Sequence, residues 1–510
     1  MTEPRTEECH VDAALRILLI SAEVAPFART GGLGDVNGAL PQVLAALGHD
    51  VRIVMPLYQS LRDGDFPLTE LVPDLQVPLV IGPRTARVWQ THLPEPDGAA
   101  GRVPVYAVEQ DDFFARPGLY GNGNGDYPDN ALRFTFLSRA VLALVERLGW
   151  FPQVFHCHDW HTGLIPALLR FLPGLDARSR QAASVFTIHN FAYQGIFPNW
   201  AFGLTGLSPF LFQPEGLEFY GSLNFMKSGL YYADRLTTVS PSYAEEIGSP
   251  ALGFGLDGCI RARRSALVGI VNGADYAVWN PEADPLIAAQ YTAQDLSGKA
   301  ECKRAVLAEY GWSDAPDRPL LGMVTRLVDQ KGIDLVAGAL DALLELDCRL
   351  VVLGSGESRY ETLLTQRAQA HPGRIGVRIG FDEALAHQIE AGSDCFLMPS
   401  RYEPCGLSQL YSLRYGTVPI VRATGGLRDT VFPFDADSGQ GTGFVFEDAS
   451  PQALTQAVRA ALRTFADPAA WHGLMRRGMA QDFSWTRSAR RYLDLYQELV
   501  AARQAAVAPG

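Results

Sequence analysis

The chain is poor in several things, and each shortage narrows what it can be. Seven cysteines in 510 residues, with no Cys-x-x-Cys pair, speak against a disulfide framework and a structural zinc site, and fit a reducing compartment. No run of about 18 apolar residues occurs, so no membrane-spanning helix is expected. Basic residues are never concentrated: the densest cluster is Arg261-Ala262-Arg263-Arg264, and the formal net charge is −13. Nucleic-acid binding needs a concentrated basic face and is not expected, whereas a small phosphorylated ligand needs only a few cations. The acidic stretch Met1–His10 has no apolar core, so no secretory leader is read there and a cytoplasmic protein is expected. Low-complexity tracts and repeats of about 20–50 residues are also missing.

What remains is an ordinary globular composition, 47% hydrophobic and 19% charged, long enough for two or three domains of about 100–200 residues. Apolar residues Val36, Ala39, Leu40, Val43, Leu44 and Leu47 form one helical stripe, predicting a helix over 36–47 with Asp35 as N-cap and Gly48 as its stop. Strands are predicted near 16–21, 51–55, 103–108, 153–157, 184–188 and 235–239, and a Gly/Asp/Asn-rich loop over 111–130. Turn signals at Asn272-Gly273, Asn280-Pro281 and Asp284-Pro285 mark a break at about 265–290. A second strand–helix series follows from 320 to 421, and a helix after about 485. Short strands alternating with helices predict parallel sheets with right-handed crossovers.

The string Thr-Gly-Gly-Leu-x-Asp occurs twice, at Thr30–Asp35 and Thr424–Asp429, each time after a strand-like run. Glycines let backbone approach a ligand and a helix N-terminus attracts anions, so the pair suggests two similar domains closing on one phosphorylated ligand. In doubly wound sheets ligands bind beyond the carboxyl ends of strands, and five groups sit there. Glu23 to Asp35, with Arg29 beside Gly31 and Gly32, reads as a phosphate and sugar loop or as a plain strand–helix turn. His156-Cys157-His158-Asp159-Trp160-His161 invites a metal, but in a strand His156 and His158 share a face that Asp159 does not, so a polar pocket floor is favoured. Thr187 to Gly195 places His189 at a strand end before a polar, aromatic loop. Arg326 and Lys331 lie five residues apart across a loop and can hold a diphosphate, one by its fork and one as a point charge. In Pro399 to Gln409, the backbone at 406–408 can bind phosphate and Glu403 can accept from two sugar hydroxyls. Cys405 has no evident base partner and reads as packing.

Together the strings Thr-Gly-Gly-Leu-Gly-Asp-Val, His-Cys-His-Asp-Trp-His, Phe-Thr-Ile-His-Asn-Phe-Ala-Tyr-Gln-Gly, Tyr-Tyr-Ala-Asp-Arg-Leu-Thr-Thr-Val-Ser-Pro, Phe-Gly-Leu-Asp-Gly, Gly-Ile-Val-Asn-Gly and Ser-Arg-Tyr-Glu-Pro-Cys-Gly-Leu resemble bacterial glycogen synthases and plant starch synthases, from about residue 16 to about 490. The resemblance implies an α/β GT-B fold: two Rossmann-like domains with parallel sheets facing across a cleft, and a C-terminal helix returning to the N-terminal domain. The expected boundaries are 1–270, 271–484 and 485–510. It implies a retaining transfer of glucose from ADP-glucose to the non-reducing end of glycogen or another α-1,4-glucan, with no metal, PLP or other cofactor. By matching position His189, Arg326, Lys331 and Glu403 are the implied catalytic set. Arg326 and Lys331 would take the diphosphate, Glu403 the sugar 3- and 4-hydroxyls, and His189 the sugar. Glu23, Arg29, Gly31, Gly32, Asp35, Asp159, Asn190, Asn272, Cys405, Gly406, Leu407 and Ser408 are implied substrate-binding residues, and Phe381 would stack on adenine. One position departs from the family pattern. Arg29 stands where the family usually has Lys, and the two are not equivalent toward a donor. Tyr411 stands where many relatives carry a second Glu, as in the synthase branch.

No pair of carboxylates about 5 Å apart, as retaining hydrolases use, is evident, so same-face displacement is expected. Three rival readings and one variant stand beside this one. A nicotinamide dehydrogenase would need a G-x-G-x-x-G after the first strand, which is missing. A non-catalytic glucan binder would not need Arg326, Lys331 and Glu403. A sucrose- or phosphorylase-like GT-B transferase is the third rival, and a related enzyme using UDP-glucose or another acceptor is the variant.

Overall fold

A computed structural model describes residues 14–94, 103–123, 125–312 and 317–507; the N-terminal stretch Met1–His10 lies outside them. The chain forms two compact units. One comprises Met1–Ile188, Tyr193–Leu236 and Tyr492–Gly510; the other comprises His189–Ala192 and Thr237–Arg491.

In the first unit the sheet includes, in spatial order, Ala183–Ile188, Val154–His158, Arg16–Ile20, Asp50–Pro56, Pro104–Glu109, Arg84–His92 and Thr69–Val77, seven strands of a nine-stranded sheet. The first five strands are parallel; the last two extend the sheet antiparallel. The parallel strands are continuous apolar runs because helices cover both faces. Helix Gly32–Ala46 buries Leu33, Val36, Leu40 and Leu44. It starts four residues earlier than its apolar stripe predicts: Gly31 is the N-cap and Asp35 lies inside the first turn, where a carboxylate favours the positive helix end. Helix Asn130–Leu148 is buried along most of its length and ends at Gly149 in the left-handed conformation. From Tyr492 onward the helix Trp485–Val507 belongs to this unit; Tyr492 and Tyr496 are fully buried.

In the second unit six parallel strands run Ile375–Ile379, Arg349–Gly354, Leu320–Val324, Cys395–Met398, Val418–Arg422, Phe444–Phe446. Alternate residues feed two cores. Leu321, Met323, Leu350, Val352, Leu397 and Ile420 pack with helices Ile333–Leu344 and Pro451–Phe465. Leu320, Val351, Leu353, Phe396 and Val421 pack with Ser297–Glu309 and Glu383–Gly392. In chain order these strands are arranged 3-2-1-4-5-6, a doubly wound topology whose switch point falls between the first and fourth strands. The five parallel strands of the first unit have the same arrangement, with the switch point between Arg16–Ile20 and Val154–His158. Topology alone therefore marks the loops after 20 and 158, and those after 324 and 398, as ligand loops.

Candidate active site

Strand Leu320–Val324 ends one residue before Thr325, and the chain then crosses to a short helical turn at Asp329–Lys331 and to Gly332. Gly332 has φ +69°, and a Cβ there would overlap the Pro399 carbonyl. Only glycine lets this loop lie backbone to backbone against the one after strand Cys395–Met398. That approach brings Lys331 Nζ within 2.6 Å of Glu403 Oε2. Ser400 Oγ donates to the same oxygen at 2.9 Å. Glu403 is 4% exposed, so its charge is matched where it would otherwise be costly to bury. Both bonds reach Oε2, which leaves Oε1 without an acceptor role among the described residues. Arg326 is exposed and makes only a long contact of 3.5 Å to Gln330; among the described residues it forms no ion pair. The N–H groups of Gly406, Leu407 and Ser408, ahead of helix Ser408–Arg414, find no acceptor among the described residues. Two cations, one open carboxylate oxygen and three open N–H groups thus surround one switch point.

Cys405 is buried. Burial pushes its thiol up to about 12, against a backbone hydrogen bond from Asn272, so it stays protonated and serves packing rather than attack. Asn272 is itself buried, with its Oδ1 unpartnered among the described residues. Phe381 follows strand Ile375–Ile379 and is 74% exposed. His189 is buried and burial lowers its pKa from 6.5 to about 3, so its ring is neutral at physiological pH. Asn190 follows it and accepts from Ala192 N–H at 3.1 Å.

At the first unit's switch point Glu23 is buried and accepts from Thr30 N–H (2.6 Å), Thr30 Oγ1 (2.7 Å) and Tyr120 Oη (2.6 Å). Burial first, then the Glu23 carboxylate, raises the Tyr120 pKa well above its usual range, so this hydroxyl donates. These bonds fix the Thr30–Gly32 loop. A Cβ on Gly31 or Gly32 would meet nothing within 4 Å, and Gly31 has φ −178°, which any residue adopts. The fold does not require these glycines; a ligand passing close to the backbone would. Arg29 pairs with Asp35 at 3.0 Å on the surface. Asp159 is buried with φ 55°, a sparsely populated conformation for a non-glycine residue, and its N–H donates to Thr187 O at 2.9 Å.

Sequence reasoning missed Tyr120, which lies in a Gly/Asp/Asn-rich loop with no signal beyond being a lone aromatic there, and Ser400, hidden in a common turn composition. It also misjudged the second Thr-Gly-Gly string. A Cβ at Gly425 (φ +45°) would overlap the Glu403 carbonyl, and one at Gly426 the Cys405 carbonyl. Gly425 N–H donates to Glu246 Oε1 at 2.8 Å, and Thr424 Oγ1 lies 3.2 Å from both Glu246 oxygens. A protein carboxylate already occupies the helix start where a phosphate was expected. The second string therefore shapes the Glu403 loop from beneath and takes no anion itself.

Because His189 stays neutral in the folded state down to about pH 3, while an unfolded histidine gains a proton below about 6.5, the unfolded state binds more protons between those values. Stability rises with pH through that window and is lost as pH falls. The urea midpoint of His189→Gln is expected to change less between pH 7 and pH 5 than that of the wild type; an equal slope would show that His189 titrates normally.

Comparison with known proteins matches these features along the chain. A family model for the starch synthase catalytic domain matches residues 16–262, and one for glycosyl transferases group 1 matches residues 312–471. A glycogen synthase of Syntrophotalea carbinolica is 49% identical over 491 residues, covering 96% of this chain and 100% of its own. One of Anaeromyxobacter dehalogenans is 50% identical over 490 residues, with the same coverage. Among solved structures, the catalytic domain of starch synthase IV from Arabidopsis thaliana, bound to ADP and acarbose, aligns with a TM-score of 0.88 at 34% identity over 96% of this chain and 100% of that one. Identity at this level over full length, on matching doubly wound units, places the chain in the glycogen and starch synthase family of glycosyltransferases, with the GT-B fold.

Proposed function

We propose that the chain transfers glucose from ADP-glucose to the non-reducing end of an α-1,4-glucan with retention of configuration, in glycogen synthesis. The observation that carries this reading is the pairing of Lys331 with Glu403 beside Arg326 at a topological switch point. Cleaving a glycosyl–phosphate bond builds positive charge on the sugar and negative charge on the departing diphosphate. Arg326 and Lys331, with the N–H groups of 406–408, are assigned to the diphosphate, where fixed donors act most strongly as charge develops. Glu403 Oε1 is assigned to the sugar 3- and 4-hydroxyls, His189, Asn190 and Asp159 to the sugar, and Phe381 to adenine. Glycines 31 and 32 and Arg29 are assigned to donor contacts of backbone and side chain, with Glu23 and Asp35 positioning that loop.

With Cys405 protonated and the His189 ring assigned to the sugar, neither is assigned as nucleophile. The acceptor hydroxyl attacks the anomeric carbon on the face the diphosphate leaves, its proton passing to the leaving phosphate oxygen as the new C–O bond forms. Side-chain cations carry the diphosphate charge, so no resident metal or cofactor is assigned. Support for ADP over UDP comes from the ADP-bound plant neighbour. The test is incorporation of labelled glucose into glycogen from a panel of nucleotide sugars. ADP-glucose is expected to be the preferred donor; preference for UDP-glucose would revise the donor, and no incorporation from any donor would refute the proposal.

A further inference from the structure

A hydrogen-bonded chain of buried groups runs from the C-terminal helix to the floor of the first unit's switch point. Tyr496 Oη lies 2.7 Å from His156 Nδ1, and His156 Nε2 lies 2.6 Å from Thr187 Oγ1. All three residues are fully buried. The His156 ring also packs against His158, 4.0 Å between centroids, and against Tyr492 at 5.4 Å. A neutral imidazole donates from one nitrogen and accepts at the other. Hydroxyls on both sides, each able to donate or accept, therefore hold its ring plane in either tautomer.

The two strands joined by this imidazole are those that deliver site residues. His158 and Thr187 are paired in register, Asp159 directly follows the first strand, and His189 follows Thr187 by two residues. Thr187 O takes the N–H of Asp159, the residue at φ 55°. A residue in that region keeps its conformation only where its surroundings impose it, and the Thr187 carbonyl is one such constraint. We propose that Tyr496 is a positioning residue for the transfer reaction. Acting through His156 and Thr187, it sets the strand ends that carry Asp159 and His189. The proposal rests on the assignment of those two residues to the sugar.

Tyr496→Phe keeps the ring and removes this partner of Nδ1. Turnover is expected to fall by about tenfold, toward the ~10²-fold that a 1 Å misplacement costs. The ADP Kd should stay within about twofold, because no nucleotide contact is removed. Thr187→Val should lower turnover similarly, and Thr187→Ser, which keeps the hydroxyl, should restore it. In the double variant Tyr496→Phe/Thr187→Val the losses should not add, since both cut one chain. Amide exchange across 157–162 should quicken in Tyr496→Phe, a readout independent of catalysis. Wild-type turnover and exchange in folded Tyr496→Phe would overturn the proposal, as would additive losses or equal damage from Thr187→Ser and Thr187→Val. If Tyr496→Phe does not fold, the Thr187 pair decides. Failure of the underlying functional assignment looks different: the wild type itself would transfer no glucose, and the exchange measurement would still decide the coupling.

Discussion

Arg326→Ala is expected to lower kcat by about 10²–10³-fold and to leave the melting temperature where it is. The side chain is exposed, without an ion pair among the described residues, and touches only Gln330 at 3.5 Å. An exposed group so placed contributes almost nothing to stability, so its presence at a switch point is explained by a ligand. Lys331→Ala is expected to lose turnover to the same degree, but with a second effect. Its ammonium is the cation beside the buried Glu403, and removing one partner of a buried pair costs about 3 kcal/mol or more. Steady-state kinetics with thermal unfolding separates the two cases. Near-normal turnover in Arg326→Ala would remove the diphosphate assignment.

Gly425→Ala and Gly31→Ala should behave in opposite ways although the two glycines sit in the same six-residue string. At Gly425 a methyl group would strike the Glu403 carbonyl, at φ +45°. Strain and overpacking at such a site cost about 3 kcal/mol or more together, and relief requires the Glu403 loop to move, so activity falls with stability. At Gly31 the methyl meets open space. The folded state should be as stable as the wild type, while donor binding weakens because the new Cβ stands where a ligand approaches. Urea titration of both variants with donor KM checks the contrast. A stable, active Gly425→Ala would mean that the second string is not structural, and an unchanged donor KM in Gly31→Ala would remove its loop from the site.

Much of this was legible in the chain because parallel strands buried on both faces are unbroken apolar runs. Arg16–Ile20, Leu320–Val324 and Val418–Arg422 stand out for that reason, and the residues just after such runs, Glu23, Arg326, Lys331 and Glu403, fall at switch points by topology. The antiparallel strands Thr69–Val77 and Arg84–His92 were not legible. They alternate buried and exposed residues, carry charges, and in the first case contain Pro73. Tyr120 and Ser400 were missed because their partners, Glu23 and Glu403, are fixed by tertiary contacts that no local spacing records. The second Thr-Gly-Gly string misled for the same reason: what fills the space at Gly425 comes from Glu246 and Glu403, distant in sequence. Asp35 has the composition of an N-cap but lies in the first turn, because Gly31 and the Thr30–Glu23 bonds begin the helix earlier.

The most direct test is a crystal structure with ADP soaked in. Its β-phosphate should lie within about 3.2 Å of both the Arg326 guanidinium and the Lys331 ammonium, with adenine against Phe381. Nucleotide bound elsewhere, with both cations untouched, would contradict the account.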